Sequence, residues 1–239
     1  EEQFQNWMLT EYQTLANLPY LHAPVMVHHI PHFLRLKRKD KVALIVIDGM
    51  GFMQWKQIKT YLNRAFQCYE RGVYAWVPTL TSVSRQALFS GELPFHFADS
   101  IHSTHKEASL WQLFWEQQEV PKLRISFEKG LGQGSYQAEG VEAVKNPSIK
   151  VAGLVIDTID RLMHGAIQGY KGLLAEMEVW LQTGYLEQLI QDLVVRGFDV
   201  YLTADHGNTA STGIGRPNEG VLAETRGERV RIYRDQKLR

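Results

Sequence analysis

The sequence predicts an α/β fold, with a mainly parallel β-sheet flanked by helices on both faces. Three strand-like stretches, residues 42–47, 151–156 and 198–203, carry this prediction. The first two are continuous apolar runs, which are typical of strands buried on both faces of a sheet. Helical patterns separate the three stretches, and strands that alternate with helices indicate parallel pairing.

The remaining elements follow from apolar spacing and from the positions of glycine and proline. We place an N-terminal helical lead-in, which includes a proline-containing loop, at residues 1–40 and the α/β domain at residues 41–239. Further expected strands are 74–77, 123–127 and 229–233, and the expected helices are 3–17, 52–67, 82–90, 108–119, 160–182 and 186–196.

Composition restricts the class of protein. Lys and Arg together number 26, as do Asp and Glu, so no overall charge attracts nucleic acid or an anionic membrane. The basic run at 35–41 is a candidate phosphate contact, although a solvated lead-in to the first strand explains it more simply. The single cysteine, Cys68, excludes an internal disulfide and suits a reducing compartment.

Targeting signals give the expected location. No apolar run reaches the roughly 20 residues that span a bilayer. The first residues lack the basic and apolar regions of a signal peptide, so we expect a cytoplasmic protein that is not bound to a membrane. The sequence does not begin with methionine, and we therefore expect a domain cut from a longer chain.

The first apolar stretch ends in a carboxylate. Asp48 directly follows residues 42–47, and Gly49 and Gly51 allow the backbone to turn away from the sheet at once. Ligands of open α/β sheets bind at the carboxyl ends of the strands, which makes Asp48 a candidate ligand or catalytic residue. Alone, a role in the turn or as a helix N-cap explains it equally well.

Two further strand ends repeat this pattern. The stretch 151–156 leads into Asp157, Asp160 and His164, and the stretch 198–203 leads into Asp205 and His206. Asp160 and His164 are four residues apart, so on a helix they share one face and together could hold a cation. Aspartate and histidine are suitable ligands for zinc or manganese, and the three strand ends together predict a metal site.

The segment PTLTSVSRQALFSG, residues 78–91, supplies hydroxyl groups at the start of an expected helix. Helix N-termini present free N–H groups and a partial positive charge, which suit a phosphate or a developing oxyanion. A hydroxyl placed there beside a metal can serve as a nucleophile. An ordinary Ser/Thr N-cap is the alternative interpretation.

The order of these motifs resembles the alkaline phosphatase superfamily. The order comprises an aspartate after the first strand, P-T-x-T before a helix, D-x-x-D-x-x-x-H, and T-A-D-H-G. More narrowly, PTLTSVSRQALFSG and IDRLMHG resemble the PglZ domain, the phosphatase-like component of bacterial BREX phage-defence systems. The resemblance spans about residues 42–232 and implies a two-metal site, usually zinc, with manganese or magnesium as alternatives.

The resemblance also implies roles for individual residues. Asp48, Asp205 and His206 would hold one metal together with the nucleophile, and Asp160 and His164 would hold the other. The nucleophile would be Thr81, the second hydroxyl of P-T-x-T, with its neighbour Ser82 as second choice. Asp157 would orient a metal ligand, or it would cap the following helix.

One feature departs from the superfamily pattern. A third histidine normally completes the second metal site, but none follows His206 before the last residue, Arg239. We therefore expect a C-terminal truncation or an incomplete, weaker Asp160/His164 site.

The sequence thus predicts a metal-dependent phosphatase domain with a phosphate-ester substrate. The alternatives are a phosphodiesterase or nuclease, with the run 35–41 contacting the strand, and a non-catalytic metal-binding scaffold for partner proteins of a defence complex.

Overall fold

Four parallel strands form the central sheet of the protein, for which a computed structural model describes residues 2–165, 169–209, 221–222 and 231–232. The sheet has the strand order β2-β3-β1-β4. Its strands are β1 (Lys41–Ile47), β2 (Ile125–Leu131), β3 (Val151–Ile156) and β4 (Phe198–Thr203). The prediction of an α/β fold with a parallel sheet is confirmed.

The central strand β1 is buried on both faces, as its apolar run predicts. It pairs in parallel with β3 on one side and with β4 on the other. Ala43, Ile45 and Ile47 belong to one core cluster, and the alternating residues Val42, Leu44 and Val46 belong to a second cluster across the sheet. Because side chains alternate between faces along a strand, both faces of the sheet carry a core.

Helices cover both of these faces. The described helices are α1 (Glu2–Thr10), α2 (His29–Lys37), α3 (Phe52–Leu62), α4 (Thr81–Ser90), α5 (Glu107–Glu116), α6 (Glu142–Lys145), α7 (Thr158–Gly165), α8 (Gly169–Gln182) and α9 (Tyr185–Val195). One core includes residues of α2, α4 and α5, and the other includes residues of α3, α6, α8 and α9. Within the described ranges, no helix has the length and apolarity needed to cross a membrane.

Three local expectations differ from the structure. The segment 74–77 is not a strand, because Tyr74 makes only an isolated bridge with Met26. Helix α2 forms where a loop was expected, since Pro31 falls in its first turn, where the missing N–H has no intrahelical role. The expected helix 160–182 contains two described helices, and the second begins at Gly169, whose φ is 62°.

The C-terminal part of the domain is described only in short pieces. Strands β5 (Val221–Leu222) and β6 (Arg231–Ile232) pair in an antiparallel ribbon. The expected strand 229–233 includes β6, and its other residues lie outside the described ranges. The domain boundary at residue 40 stays a prediction, although Ile30 and Leu34 of α2 pack into the core.

Candidate metal centre

The carboxyl ends of the neighbouring strands β1 and β4 place two aspartates side by side. Asp48 follows β1 and is 5% exposed, and Asp205 lies two residues after β4 and is fully buried. Gly49, with φ 67°, turns the chain after Asp48 and donates its N–H to Asp205 Oδ1 at 3.0 Å. A side chain at residue 49 would be strained in this conformation and would meet Met163 Cε at 2.8 Å.

Asp48, Asp205 and His206 form a cluster of potential ligand atoms that lie within 4.8 Å of one another. His206 Nε2 lies 3.5 Å from Asp205 Oδ2 and 3.9 Å from Asp48 Oδ1. The second oxygen of Asp205, Oδ1, also accepts the backbone N–H of His206 at 2.9 Å. The turn after β4 thus fixes the Asp205 carboxylate and directs its other oxygen toward the histidine. We refer to these three residues as the buried cluster.

The buried cluster has unused acceptor atoms that fit a divalent cation. Asp48 Oδ1 and Asp205 Oδ2 are buried, and neither has a hydrogen-bond partner among the described residues. His206 Nδ1 lies 2.9 Å from the Gly207 carbonyl oxygen, which can only accept, so Nδ1 carries the proton. In the neutral imidazole, Nε2 then carries the lone pair, on the side of the two carboxylates. This histidine–carbonyl arrangement is typical of metal-ligating histidines.

The electrostatics of the buried cluster also suit a cation. Burial and the adjacent Asp205 carboxylate together raise the pKa of Asp48 to about 7, although the Arg85 guanidinium opposes the rise. Two carboxylates held this close without water disfavour the doubly charged state. A bound cation reverses this effect because it stabilises both charges.

Thr81 is the first residue of α4, and its hydroxyl reaches the buried cluster. Thr81 Oγ1 lies 3.0 Å from His206 Nε2 and can donate a hydrogen bond to it. The neighbouring Ser82 is buried, and its hydroxyl has no hydrogen-bond partner in the described part of the chain. The N-terminus of α4 therefore presents the Thr81 hydroxyl, rather than that of Ser82, to the histidine.

The Asp160/His164 pair lies on α7, beside the buried cluster rather than within it. Asp160 Oδ1 is 3.5 Å from His164 Nε2, and the His164 side chain is 73% exposed. A Cβ at Gly49 would lie 3.8 Å from Asp160 Oδ1 and 3.9 Å from His206 Cε1, so Asp160 lies beside the cluster. Burial and the nearby Asp48 carboxylate raise the pKa of Asp160. Asp157 Oδ1 lies 3.5 Å from Arg161 Nε, in an i,i+4 ion pair on α7.

A buried arginine supports Asp48, and sequence reasoning missed it. Arg85 Nη1 donates to Asp48 Oδ2 at 3.1 Å, and its Nη2 donates to Glu107 Oε2 at 2.6 Å. Arg85 is 5% exposed and Glu107 is fully buried. A signal was present, because every residue of α4 after Thr81 is buried and a charged residue in such a helix requires a partner.

A polar pair was also missed at the turn after β1. Asn208 donates its side-chain amide to the Gly49 carbonyl oxygen and accepts a hydrogen bond from Gln54 Nε2 at 3.1 Å. These bonds tie the loop after His206 to the loop after Asp48, and so they hold the two strand ends together.

Comparison with protein-family models agrees with this geometry. The model of the BREX system PglZ alkaline phosphatase-like domain matches residues 25–238. No curated protein sequence matches the chain significantly. The match extends over most of the chain and begins at the turn before α2. The chain therefore belongs to the PglZ family of alkaline phosphatase-like domains found in BREX systems.

Proposed function

We propose that this domain is a metal-dependent phosphoester hydrolase in which Thr81 attacks phosphorus. The observation that carries the proposal is the position of Thr81 Oγ1, 3.0 Å from His206 Nε2 at the rim of the buried cluster. A hydroxyl nucleophile, an imidazole nitrogen and two carboxylate oxygens without a hydrogen-bond partner among the described residues lie together near the start of α4. An N-cap hydroxyl alone would not require the other three atoms.

Asp48, Asp205 and His206 would hold the metal through Asp48 Oδ1, Asp205 Oδ2 and His206 Nε2. Mixed nitrogen and carboxylate donors suit zinc, and manganese and magnesium are the alternatives. When bound, such an ion supplies Lewis-acid stabilisation of phosphoryl oxygens and lowers the pKa of a nearby hydroxyl.

The residues of the chain supply the nucleophile and its orientation. Thr81 Oγ1 forms a bond to phosphorus while the bond from phosphorus to the ester oxygen breaks, and the released alcohol takes up the hydroxyl proton. Water then cleaves the phosphothreonine, which regenerates the Thr81 hydroxyl and releases inorganic phosphate. The N-terminus of α4, where Thr81 lies, favours the negative charge of the bound phosphoryl group.

Arg85 acts as a positioning residue for Asp48. Its guanidinium occupies Asp48 Oδ2, so that only Oδ1 remains for a cation. Glu107 holds the other arm of the guanidinium, and Lys129 Nζ lies 3.8 Å from the same Glu107 oxygen. This chain of alternating charges fixes the orientation of the Asp48 carboxylate.

Asp160 and His164 would contribute a second, weaker cation site. Asp160 lies beside the cluster, but the His164 side chain is largely exposed. This exposure also favours a second candidate function, a non-catalytic metal-binding scaffold. In either role we infer that the domain works in the cytoplasm and contacts partner proteins of a defence complex.

The nucleophile is tested by substitution at three neighbouring hydroxyls. Thr81→Ala should abolish turnover of both 4-nitrophenyl phosphate and bis(4-nitrophenyl) phosphate, whereas Thr81→Ser should retain part of it because the oxygen remains. The N-cap of α4 is Leu80, so Thr81 is not a capping residue. The stability cost of Thr81→Ala should be about 1 kcal/mol, the usual net contribution of one hydrogen bond, here the one to His206. Ser82→Ala should be much milder, and Thr79→Ala, at an exposed position, should match the wild type.

The two substrates also separate the alternatives. Preference for the diester would identify a phosphodiesterase. Full activity of Thr81→Ala together with loss of activity in Ser82→Ala would identify Ser82 as the nucleophile instead of Thr81. A wild-type protein that binds metal but turns over neither substrate would support the scaffold function instead.

A further inference from the structure

The amino ends of the four parallel strands, opposite the metal centre, each carry a cation. Lys41 is the first residue of β1, Lys150 directly precedes β3, and Arg124 directly precedes β2. Arg196 lies two residues before the first residue of β4. A cation therefore stands at the start of every strand of the sheet.

Strand pairing arranges these cations in a row. The backbone N–H of Lys150 donates to the Arg124 carbonyl, and the Lys150 carbonyl accepts from the residue after Lys41, so these three cations lie at one level of the sheet. Lys41 is in turn paired with the first residue of β4. Neighbouring strands are about 4.8 Å apart, which makes the row about 14 Å long.

The surroundings of the row are also basic. We define the basic edge as residues 35–41, 119–124, 150 and 196–199, which together hold nine cations and three carboxylates, whereas the whole chain is balanced. The cations are Arg35, Lys37, Arg38, Lys39, Lys41, Lys122, Arg124, Lys150 and Arg196, and the carboxylates are Asp40, Glu119 and Asp199. The charge of this surface is thus strongly positive although the net charge is zero.

Internal contacts neutralise only part of this charge. Lys150 Nζ pairs with Asp40 at 2.6 Å, and Lys41 Nζ donates to the Pro147 carbonyl at 3.1 Å. Among the described residues, Arg124 and Arg196 form no ion pair, and both are exposed. Burial lowers the pKa of Lys41, and the like charges of Lys150 and Arg196 lower it further, which agrees with crowding of cations along the row.

Helix ends explain only some of these cations. Helices α2 and α9 finish at this edge, and basic residues near a helix C-terminus stabilise its free carbonyl groups. This accounts for Arg35, Lys37 and Arg196. Lys41, Arg124 and Lys150 precede strands instead, so no helix end requires them.

We propose that the basic edge binds the sugar–phosphate backbone of a nucleic acid. A row of about 14 Å matches about four base-pair steps along the axis of a duplex, where the rise is about 3.4 Å per step. The exposed arginines at its two ends present the planar fork that matches phosphate. An acidic protein partner is the competing class, because the exposed Leu123 and Val195 beside these arginines could anchor one.

This surface is separate from the metal centre. Strand β1 has seven residues, so the basic edge lies about 20 Å from Asp48. A nucleic acid held there is tethered to the domain rather than placed in the buried cluster. The proposal does not rest on the proposed hydrolase function, and neither fails with the other.

The test measures binding of a fluorescein-labelled 20-base-pair duplex of mixed sequence by fluorescence anisotropy between 50 and 200 mM salt. The double variant Arg124→Gln/Arg196→Gln should bind at least about 10-fold more weakly at 50 mM salt. Its slope of log K against log salt should be shallower by about 2, since each lost phosphate contact changes the slope by about 0.9. The control Lys56→Gln/Arg71→Gln removes the same charge from exposed positions off the edge and should leave the slope unchanged.

Three results would overturn the proposal. The first is an equal slope for the two double variants, and the second is the absence of wild-type binding at 50 mM salt. The third is that poly-L-glutamate displaces the labelled duplex as effectively as unlabelled duplex does when the two competitors are compared at equal charge. The last result would assign the edge to an acidic protein partner. Thermal melting checks the folding of each variant. If a double variant does not fold, its two single variants replace it, and each should change the slope by about 1.

Discussion

The buried cluster and the Asp160/His164 pair use the same residue types but differ in how the fold holds them. Asp48, Asp205 and His206 come from two neighbouring strand ends, and His206, the most exposed of the three, is 9% exposed. Asp160 and His164 come from one turn of α7, and the His164 side chain is 73% exposed. Ligands fixed by a sheet are preorganised and dehydrated, whereas an exposed helical pair must lose side-chain freedom when it binds a cation. Residue type alone therefore does not define a metal site.

Ligand substitutions should show the largest difference between these two regions. Asp205→Asn should lower zinc affinity by more than the roughly 10- to 100-fold loss that is typical for residues that only support a ligand. His164→Gln should lower the zinc affinity by less than about 10-fold, because the exposed His164 side chain must lose water and side-chain freedom when it binds the ion. Isothermal titration calorimetry measures both affinities.

A matched control exists for the helical pair. His96 and Glu92 form another exposed i,i+4 pair, 3.9 Å apart, and His96→Gln should not change the zinc affinity. If His164→Gln weakened binding as much as Asp205→Asn, the distinction between the two regions would be lost.

Arg85 should show the next largest effect, on stability. Arg85→Met leaves the buried Asp48 carboxylate without its cation and leaves Glu107 with only Lys129, 3.8 Å away, and it should cost about 3–5 kcal/mol in the metal-free protein. Adding Glu107→Gln to this variant should recover part of the loss. Urea denaturation measures both free energies of unfolding.

The ion pair between Arg161 and Asp157 provides the comparison for Arg85. It is partly exposed, and Arg161→Met should cost less than about 1 kcal/mol. Similar costs for Arg85→Met and Arg161→Met would show that the buried chain of charges does not hold Asp48.

Much of this arrangement could be predicted from the sequence, because strand ends are local features. The apolar runs before Asp48 and Asp205 and the glycines after them place both aspartates at one edge of a parallel sheet. Arg85 could not be placed in the same way. Its partners are 37 and 22 residues away, so the ion pairs depend on how α4 and α5 pack rather than on a sequence motif.

The sequence also could not predict which of the two regions is buried. A spacing of four residues places Asp160 and His164 on one face of a helix, but it does not say whether that face meets the sheet or the solvent. Asp160, in the first turn of α7, lies beside Gly49 and His206, and one turn later His164 has reached the surface.

The pH dependence of stability should show the smallest effect. Burial and the adjacent Asp205 raise the pKa of Asp48 from 3.8 to about 7, so the folded state binds this proton more tightly than the unfolded chain. The stabilisation is complete below about pH 4 and is lost as the pH rises through 7. The metal-free protein should therefore lose about 1–3 kcal/mol between pH 4 and pH 7, measured by urea denaturation.

The contribution of Glu128 to the pH dependence must be separated from that of Asp48. Burial raises the pKa of Glu128 to about 7 as well, which gives a change in the same direction. Asp48→Asn should remove one part of the pH dependence and Glu128→Gln the other. Saturating zinc should cancel only the part that depends on Asp48. A pH dependence that Asp48→Asn leaves intact would contradict the assignment.

The most direct test of the account is the anomalous scattering of crystals grown with one equivalent of zinc. The account predicts the strongest peak between Asp48, Asp205 and His206, about 2.0–2.2 Å from the three ligand atoms. A weaker peak or none is expected beside Asp160 and His164. A strongest peak at the helical pair, or at a position that none of these residues contacts, would contradict the proposal that the buried strand ends hold the metal.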